Sequence, residues 1–280
     1  MIVDAHHHLW HYEPAHQPWL ASQEAMAPLR RDFLGEEFEA LLGACSIEKT
    51  VIVQAADSLE DSAFMLEAAR KWDFIAGIVG WMPLDDPRAA EKALDVYDAE
   101  PKVKGFRHLF LWESDPDWLI RPQVVESLAL LADRGYSWDS TAATARHLDH
   151  VGVVAEKIPN LMHVIDHLGK PPVSQGAWEP WASLMKRASQ CPNVYVKLSG
   201  VLTASSAGSG SSASLQPYVE HVLEHFGPTR VMMASNWPVS NLFADYATTW
   251  RKTRAFIDML PARERAAVTG GTAARFYKLE

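Results

Sequence analysis

An apolar segment, Ile2-Val3-Asp4-Ala5, runs directly into three consecutive histidines, His6-His7-His8. A β-strand shows alternate side chains on one face, so His6 and His8 can point together while His7 turns away. Two imidazoles side by side at a strand end are costly unless they bind something. A metal ion, or an anionic oxygen forming on a substrate, suits them. With Ile-Val-Asp close before it and Leu9-Trp10 after, the run reads as part of a fold rather than as an appended tag.

Other polar residues close short β-branched runs in the same way: Gln54, Trp81, Arg107 with His108, Asp139, Asp166 with His167, Lys197 with Ser199, and Asn236. Each is a weak signal alone. Together they describe a concave site rich in imidazole, guanidinium, ammonium and amide groups and poor in carboxylates, which suits an anionic or oxygen-rich small molecule.

The elements that must carry these residues alternate. Strand-like runs fall at residues 2–5, 50–54, 76–81, 103–108, 135–139, 162–167, 194–198 and 230–235. Helical periodicity occupies 61–72, 87–98, 123–134, 141–156, 181–190, 215–226 and 245–260. Eight strands alternating with helices predict a parallel sheet closed into a (β/α)8 barrel, as one domain over residues 1–280. An open doubly wound sheet usually carries a glycine-rich phosphate turn after its first strand, and three histidines stand there instead. In a barrel the strand C-terminal ends converge on one mouth, which is where the polar residues above would meet. Two long connections lie on that side. Residues 11–36, rich in Pro and Trp, are expected to shape the substrate pocket, and the Ser/Gly/Ala stretch 204–214 could serve as a lid or as solvated slack.

A chain of 280 residues, 48% hydrophobic, can bury a large core. Its net charge of −9 and lack of any basic run argue against nucleic-acid and anionic-membrane partners. Two isolated cysteines, Cys45 and Cys191, read as reduced residues of a cytoplasmic protein, and no apolar run approaches membrane-spanning length. Of the eleven tryptophans, Trp10, Trp81, Trp138 and Trp237 sit beside candidate site residues, although most of the eleven read as packing.

Five ordered motifs carry a resemblance. Asp4-Ala5-His6-His7-His8-Leu9-Trp10, Lys104-Gly105-Phe106-Arg107-His108, Ile165-Asp166-His167-Leu168-Gly169-Lys170-Pro171, Lys197-Leu198-Ser199-Gly200 and Ser235-Asn236-Trp237-Pro238-Val239 resemble the successive signatures of the amidohydrolase superfamily. More narrowly, they are similar to its branch of sugar-acid and aromatic-acid lactonases, including fuconolactonase, rhamnonolactonase and 2-pyrone-4,6-dicarboxylate lactonase. The resemblance implies a hydrolase opening a lactone of a sugar acid or related carboxylic acid. A metal-dependent decarboxylase of the same superfamily, or a sugar-acid-binding variant impaired by Asn236, stand as alternatives.

By this resemblance His6, His8 and His167 either polarise the lactone carbonyl directly or supply three neutral nitrogens to an open zinc site. Arg107, His108, Lys197, Trp81, Gln54 and Trp138 become candidate substrate contacts, with a lactone or sugar acid as the ligand and a homo-oligomer left open. Lys170 reads as a rim element. Asp166, one residue before His167, is expected to face away from it. One departure matters, because the branch usually has aspartate where this chain has Asn236. That aspartate acts as general base on the attacking water, and an amide takes no proton near neutral pH. The asparagine reads as an introduced isosteric change, as a natural site in which His108, Asp139 or Asp166 takes the proton, or as a loss of activity.

Overall fold

The computed structural model describes residues 1–200 and 215–279, and the stretch 204–214, with the lid reading placed on it, lies outside them. Eight strands form one all-parallel sheet in chain order: β1 Val3–His7, β2 Lys49–Val53, β3 Ile75–Gly80, β4 Val103–His108, β5 Ser137–Ser140, β6 Met162–Ile165, β7 Val194–Leu198 and β8 Val231–Met233. Past the end of β8 the chain bonds back to β1. Asn236 N donates to His6 O (2.9 Å), His8 N donates to Trp237 O (2.7 Å) and Ser235 N donates to Asp4 Oδ1 (2.9 Å). The sheet thus closes into the expected (β/α)8 barrel.

Helices α1 Gly35–Leu42, α2 Leu59–Lys71, α3 Pro87–Tyr97, α4 Pro122–Arg134, α5 Ala145–Lys157, α6 Trp181–Ser189, α7 Gln216–Phe226 and α8 Tyr246–Ala255 follow the strands. Their starts have local causes. Ser58, Asp86 and Thr144 cap the first turns of α2, α3 and α5 by accepting backbone N–H bonds, and Pro87 and Pro122 occupy first-turn positions that need no donor. Helix α1 lies inside the 11–36 excursion and beyond it, outside the expected helices, although Glu36 and Glu37 in its first turn and buried Phe38 and Leu42, four residues apart, are helical features. In the 11–36 excursion Trp10 and Phe33 exchange two backbone hydrogen bonds of 2.9 Å, which pin its ends together.

The core has two compartments. Residues facing the helices, such as Ile52, Ile78, Phe106, Trp138 and Leu198, belong to the larger one. The barrel interior holds a smaller cluster in which Val3, Ala5, Val51, Val53 and Val164 meet Phe276 and Tyr277 of the C-terminal segment. Above that apolar plug the interior becomes charged, beginning with fully buried Asp139 and Lys197. This change sets the depth of the site.

Candidate active site

Strand β1 and the residue that follows it bring two of three histidines inward with the help of a bulge. Val3 pairs with Lys49, Asp4 with Thr50 and His7 with Ile52, so β1 carries one extra residue between Asp4 and His7. Such a bulge resets the pleat. His7 therefore faces outward, stacked on Phe38 of α1 at 4.2 Å, with Nε2 2.9 Å from Thr50 Oγ1. His6 and His8 face the interior, their Nε2 atoms 3.1 Å apart. His8 Nδ1 donates to Val53 O (2.7 Å), which leaves its Nε2 lone pair turned toward His6.

At the end of β6 the chain does something else. After Ile165, the residues His167, Leu168, Gly169 and Lys170 all have positive φ, of 52°, 57°, 64° and 48°. Lys170 N donates back to His167 O at 2.9 Å, closing a left-handed turn. For non-glycine residues this conformation costs about 1–2 kcal/mol each, so the surroundings must hold it. Leu168 is buried in the outer core and its carbonyl accepts a 2.8 Å bond from Trp181 Nε1. Gly169 suits the turn as well, since glycine takes a positive φ without penalty and an added Cβ would press on the Leu148 side chain at 2.8 Å. Residues three apart share a face of such a turn, and His167 and Lys170 both line the same cavity. The His167 ring lies 4.7 Å from that of His6, and its Nδ1 is 2.7 Å from Ser199 Oγ.

Behind the histidines runs a buried network of two cations and two carboxylates. Arg107 donates through Nε (3.1 Å) and Nη2 (2.9 Å) to Gln54 Oε1 and through Nη1 to Asp166 Oδ2 (2.9 Å), with Nη1 also 3.2 Å from His6 Nε2. Lys197 Nζ donates to Asp139, lies 3.1 Å from Asp166 Oδ1 and is 2.9 Å from His6 Nδ1. Tyr277 donates to Asp139 Oδ2 at 2.8 Å. The pairing offsets the desolvation that four buried charges would otherwise suffer.

The network also sets protonation. Burial alone would raise Asp166, but Lys197, then His6 and Arg107, hold it well below the usual carboxylate range. Burial lowers all three inward imidazoles. His6 is pushed further down by Lys197 and His8 by Arg107, and His167 falls to about 3. The three rings are therefore neutral at ordinary pH, the state that metal ligation or carbonyl polarisation requires.

The cavity at the barrel mouth, about 190 Å³, is lined by His8, Arg107, Asp166, His167, Lys170 and Asn236, under an apolar rim that includes Trp19 and Trp112. Asn236 also has positive φ (58°), a conformation asparagine tolerates better than most residues. His6, Asp166 and His167 offer ligand atoms all within 4.8 Å of one another, a cluster that could hold a metal ion.

Comparison with known proteins places this arrangement. The amidohydrolase family matches residues 3–279. The chain belongs to that family. An L-fucono-1,5-lactonase from Burkholderia ambifaria is 32% identical across 99% of this chain and 96% of that enzyme. An L-rhamnono-gamma-lactonase from Scheffersomyces stipitis is 30% identical over 49% of this chain and 46% of its own length. An amidohydrolase from Burkholderia multivorans, solved with bound zinc, superposes with a TM-score of 0.92 at 30% identity over the whole of both chains.

Within this amidohydrolase the sequence-predicted site residues divide. His8, His167, Asn236 and Arg107 reach the cavity, with His6 directly behind the two histidines. Gln54 and Lys197 are fully buried behind Arg107 and His6, so they orient site groups rather than face a ligand. His108, Trp81 and Trp138 need correction as substrate contacts. The β4 pleat turns His108 away from Arg107, so it stacks on Trp118 at 4.1 Å, accepts a 3.0 Å bond from Trp81 Nε1 and pairs with Glu113 at 2.9 Å. Trp138 faces the helices and is fully buried. Asp166 was expected to face away and instead faces in, because β6 ends before it. Trp19 and Met26, from the 11–36 excursion, complete the rim, together with Trp112.

Proposed function

We propose that this amidohydrolase hydrolyses lactones of sugar acids, with the ring ester seated against His8, His167 and Asn236. The observation that carries the reading is that neutral His8 and His167, with neutral His6 directly behind them, meet at a cavity whose other polar groups are Arg107, Lys170, Asn236, Thr141 and Asp166. The lactonase names among the relatives favour this over the decarboxylase alternative.

The donor set fits a divalent ion. The His6 and His8 Nε2 atoms, 3.1 Å apart, stand at nearly the spacing of nitrogens that share a tetrahedral zinc at about 2.0–2.1 Å, with Arg107 Nη1 the donor that an ion would displace from His6. His6, His8 and His167 would hold it, with Asp166 within reach as a further ligand beside His6 and His167, and when bound it would polarise the lactone carbonyl and acidify a water.

The chain's own groups do the rest. Asn236 cannot accept the water's proton but can donate from its amide to an oxygen of the reacting ester. Of the three substitute bases open from sequence, His108 is turned away and Asp139 is sealed under Lys197 and Tyr277. Asp166 is the carboxylate on the cavity wall among the described residues, and we assign the proton to it, as an acceptor whose basicity Lys197, His6 and Arg107 reduce. Hydrolysis joins the water oxygen to the acyl carbon and breaks the ring C–O bond, and the released alkoxide takes up a proton to give a hydroxy acid. Arg107 is committed to Gln54 and Asp166, so Lys170 is the better-placed cation for the substrate's polar end.

Among the described residues no helix is long and apolar enough to cross a membrane. We place the enzyme in the cytoplasm, where its unpaired Cys45 and Cys191 would stay reduced. The test is a panel of aldono-1,4- and 1,5-lactones, including L-fucono-1,5-lactone, assayed with added zinc and with chelator. Turnover of at least one is expected, and none with or without zinc overturns the reading. In the same assay Asn236→Asp should raise the rate by about two to four orders of magnitude if the missing base limits turnover. An unchanged rate would leave the proton with Asp166.

A further inference from the structure

The cavity does not end at its rim. A second cleft of about 650 Å³ adjoins it and shares Trp19, Leu109 and Trp112 as walls. The inner cavity, at about 190 Å³, falls below the ~300–1,000 Å³ that pockets for larger ligands occupy, whereas the outer cleft falls inside that range. One small ring fills the first and leaves the second open.

The outer cleft has its own chemistry. Trp112 is 54% exposed at the junction, a large aromatic face left toward solvent. The Trp19 ring is fixed by a 2.9 Å bond from Nε1 to Ala55 O and by edge contact with Trp10, so the wall is preorganised. Around these faces stand hydrogen-bonding groups: Gln23, Ser58, His16 and the half-buried carboxylate of Asp57. The lining includes a carboxylate but no lysine or arginine, unlike the inner cavity with Arg107 and Lys170. Aromatic faces with short polar side chains and no cation suit a neutral polyhydroxylated ring, whose C–H face stacks while its hydroxyls bond at the edge.

We propose that the outer cleft is a subsite for a second, neutral sugar ring joined to the lactone, so that the enzyme opens lactones of disaccharide acids. This rests on the lactonase reading and goes beyond it. The test compares L-fucono-1,5-lactone with its 2-, 3- and 4-O-galactosyl derivatives in the wild type, Ala15→Trp, Ser22→Trp and Trp112→Ala. Ala15 and Ser22 line only the outer cleft and are exposed, so an added indole fills it without touching the inner cavity.

At least one galactosyl derivative should match or exceed the parent lactone in kcat/KM. Both filling variants should lower that value by about tenfold while leaving the parent unchanged, which also shows that they fold. Trp112→Ala should cost the two-ring substrate more than the one-ring one. If wild type hydrolyses the parent but rejects every derivative, or if filling the cleft affects neither or both substrates equally, the subsite is overturned and the lactonase reading stands. Failure to hydrolyse the parent overturns the lactonase reading, and the subsite with it.

Discussion

Strands β1 and β6 each deliver histidine to the same cavity, by opposite backbone routes. Strand β1 stays extended, and neighbours on both sides hold it: β2 by its pairing, and the post-β8 segment through Asn236 and Trp237. Strand β6 stops at Ile165, and a left-handed turn aims His167 and Lys170 instead. Each route has an outward anchor, His7 against Phe38 and Leu168 in the outer core under Trp181. In β1 the backbone ladder fixes the histidines and the anchor adds packing. In β6 strain must be resisted by side-chain contacts, so there the anchor should matter to activity.

The largest effect should come from Asp166→Asn, which tests how tightly the β6 turn is bound into the charged network. The change removes one of two carboxylates that balance buried Arg107 and Lys197. Leaving a buried charge uncompensated costs about 3–5 kcal/mol, read as a lower urea midpoint. Lactone turnover should fall by about two orders of magnitude or more, since the proposed proton acceptor is lost. A variant as stable and active as wild type would show the turn to be independent of the network.

Next, the two anchors can be set against each other. Leu168→Ala should cost about 2–5 kcal/mol from the lost side chain and its cavity and should reduce turnover as His167 loses its place. His7→Phe should leave turnover unchanged, because backbone pairing still sets His6 and His8. Its mark is a pH dependence. Burial lowers the His7 pKa to about 3, against 6.5 unperturbed. The unfolded chain therefore binds a proton below pH 6.5 that the folded chain refuses, so stability present above pH 6.5 is lost as pH falls toward 3. At pH 5 this one histidine accounts for about 2 kcal/mol. The unfolding free energy of His7→Phe should gain on wild type by that amount between pH 7 and pH 5. Equal loss of turnover in Leu168→Ala and His7→Phe would erase the distinction between the two routes.

The same contrast explains what the sequence made legible. Alternation placed His6 and His8 together with His7 turned away, and the unforeseen bulge brought Ala5 to the same inner side without separating that pair. Alternation allows only one of the neighbours Arg107 and His108 to reach the mouth, but which one depends on the β4 register, which pattern does not supply. At β6 the same rule misplaced Asp166, because it presumes that the strand continues. Gly169 and Pro171 mark a turn, yet Leu168 and Lys170 are ordinarily right-handed, and nothing local announces that both would be left-handed. Trp181, distant in sequence, holds the Leu168 carbonyl, and Leu148 and Met185 press close on Gly169. The clustered charges were legible as residue types only. That Arg107 serves Gln54 and Asp166, and Lys197 serves His6, is a matter of depth in the barrel.

The smallest change should separate strain from charge within the turn. Lys170 holds φ at 48° and presents an ammonium to the cavity. Asparagine adopts left-handed conformations with less penalty than lysine, so Lys170→Asn should keep or raise stability, by no more than about 1 kcal/mol. It also removes the cation proposed to meet the substrate's polar end. A hydrogen bond to a charged group contributes about 1.5–3 kcal/mol, so KM for a sugar-acid lactone should rise about tenfold or more with kcat nearly constant. That split assigns Lys170 to binding and the turn to positioning. If kcat fell in step while KM held, the ammonium would act on the transition state, and the turn would be delivering two reacting groups instead of one.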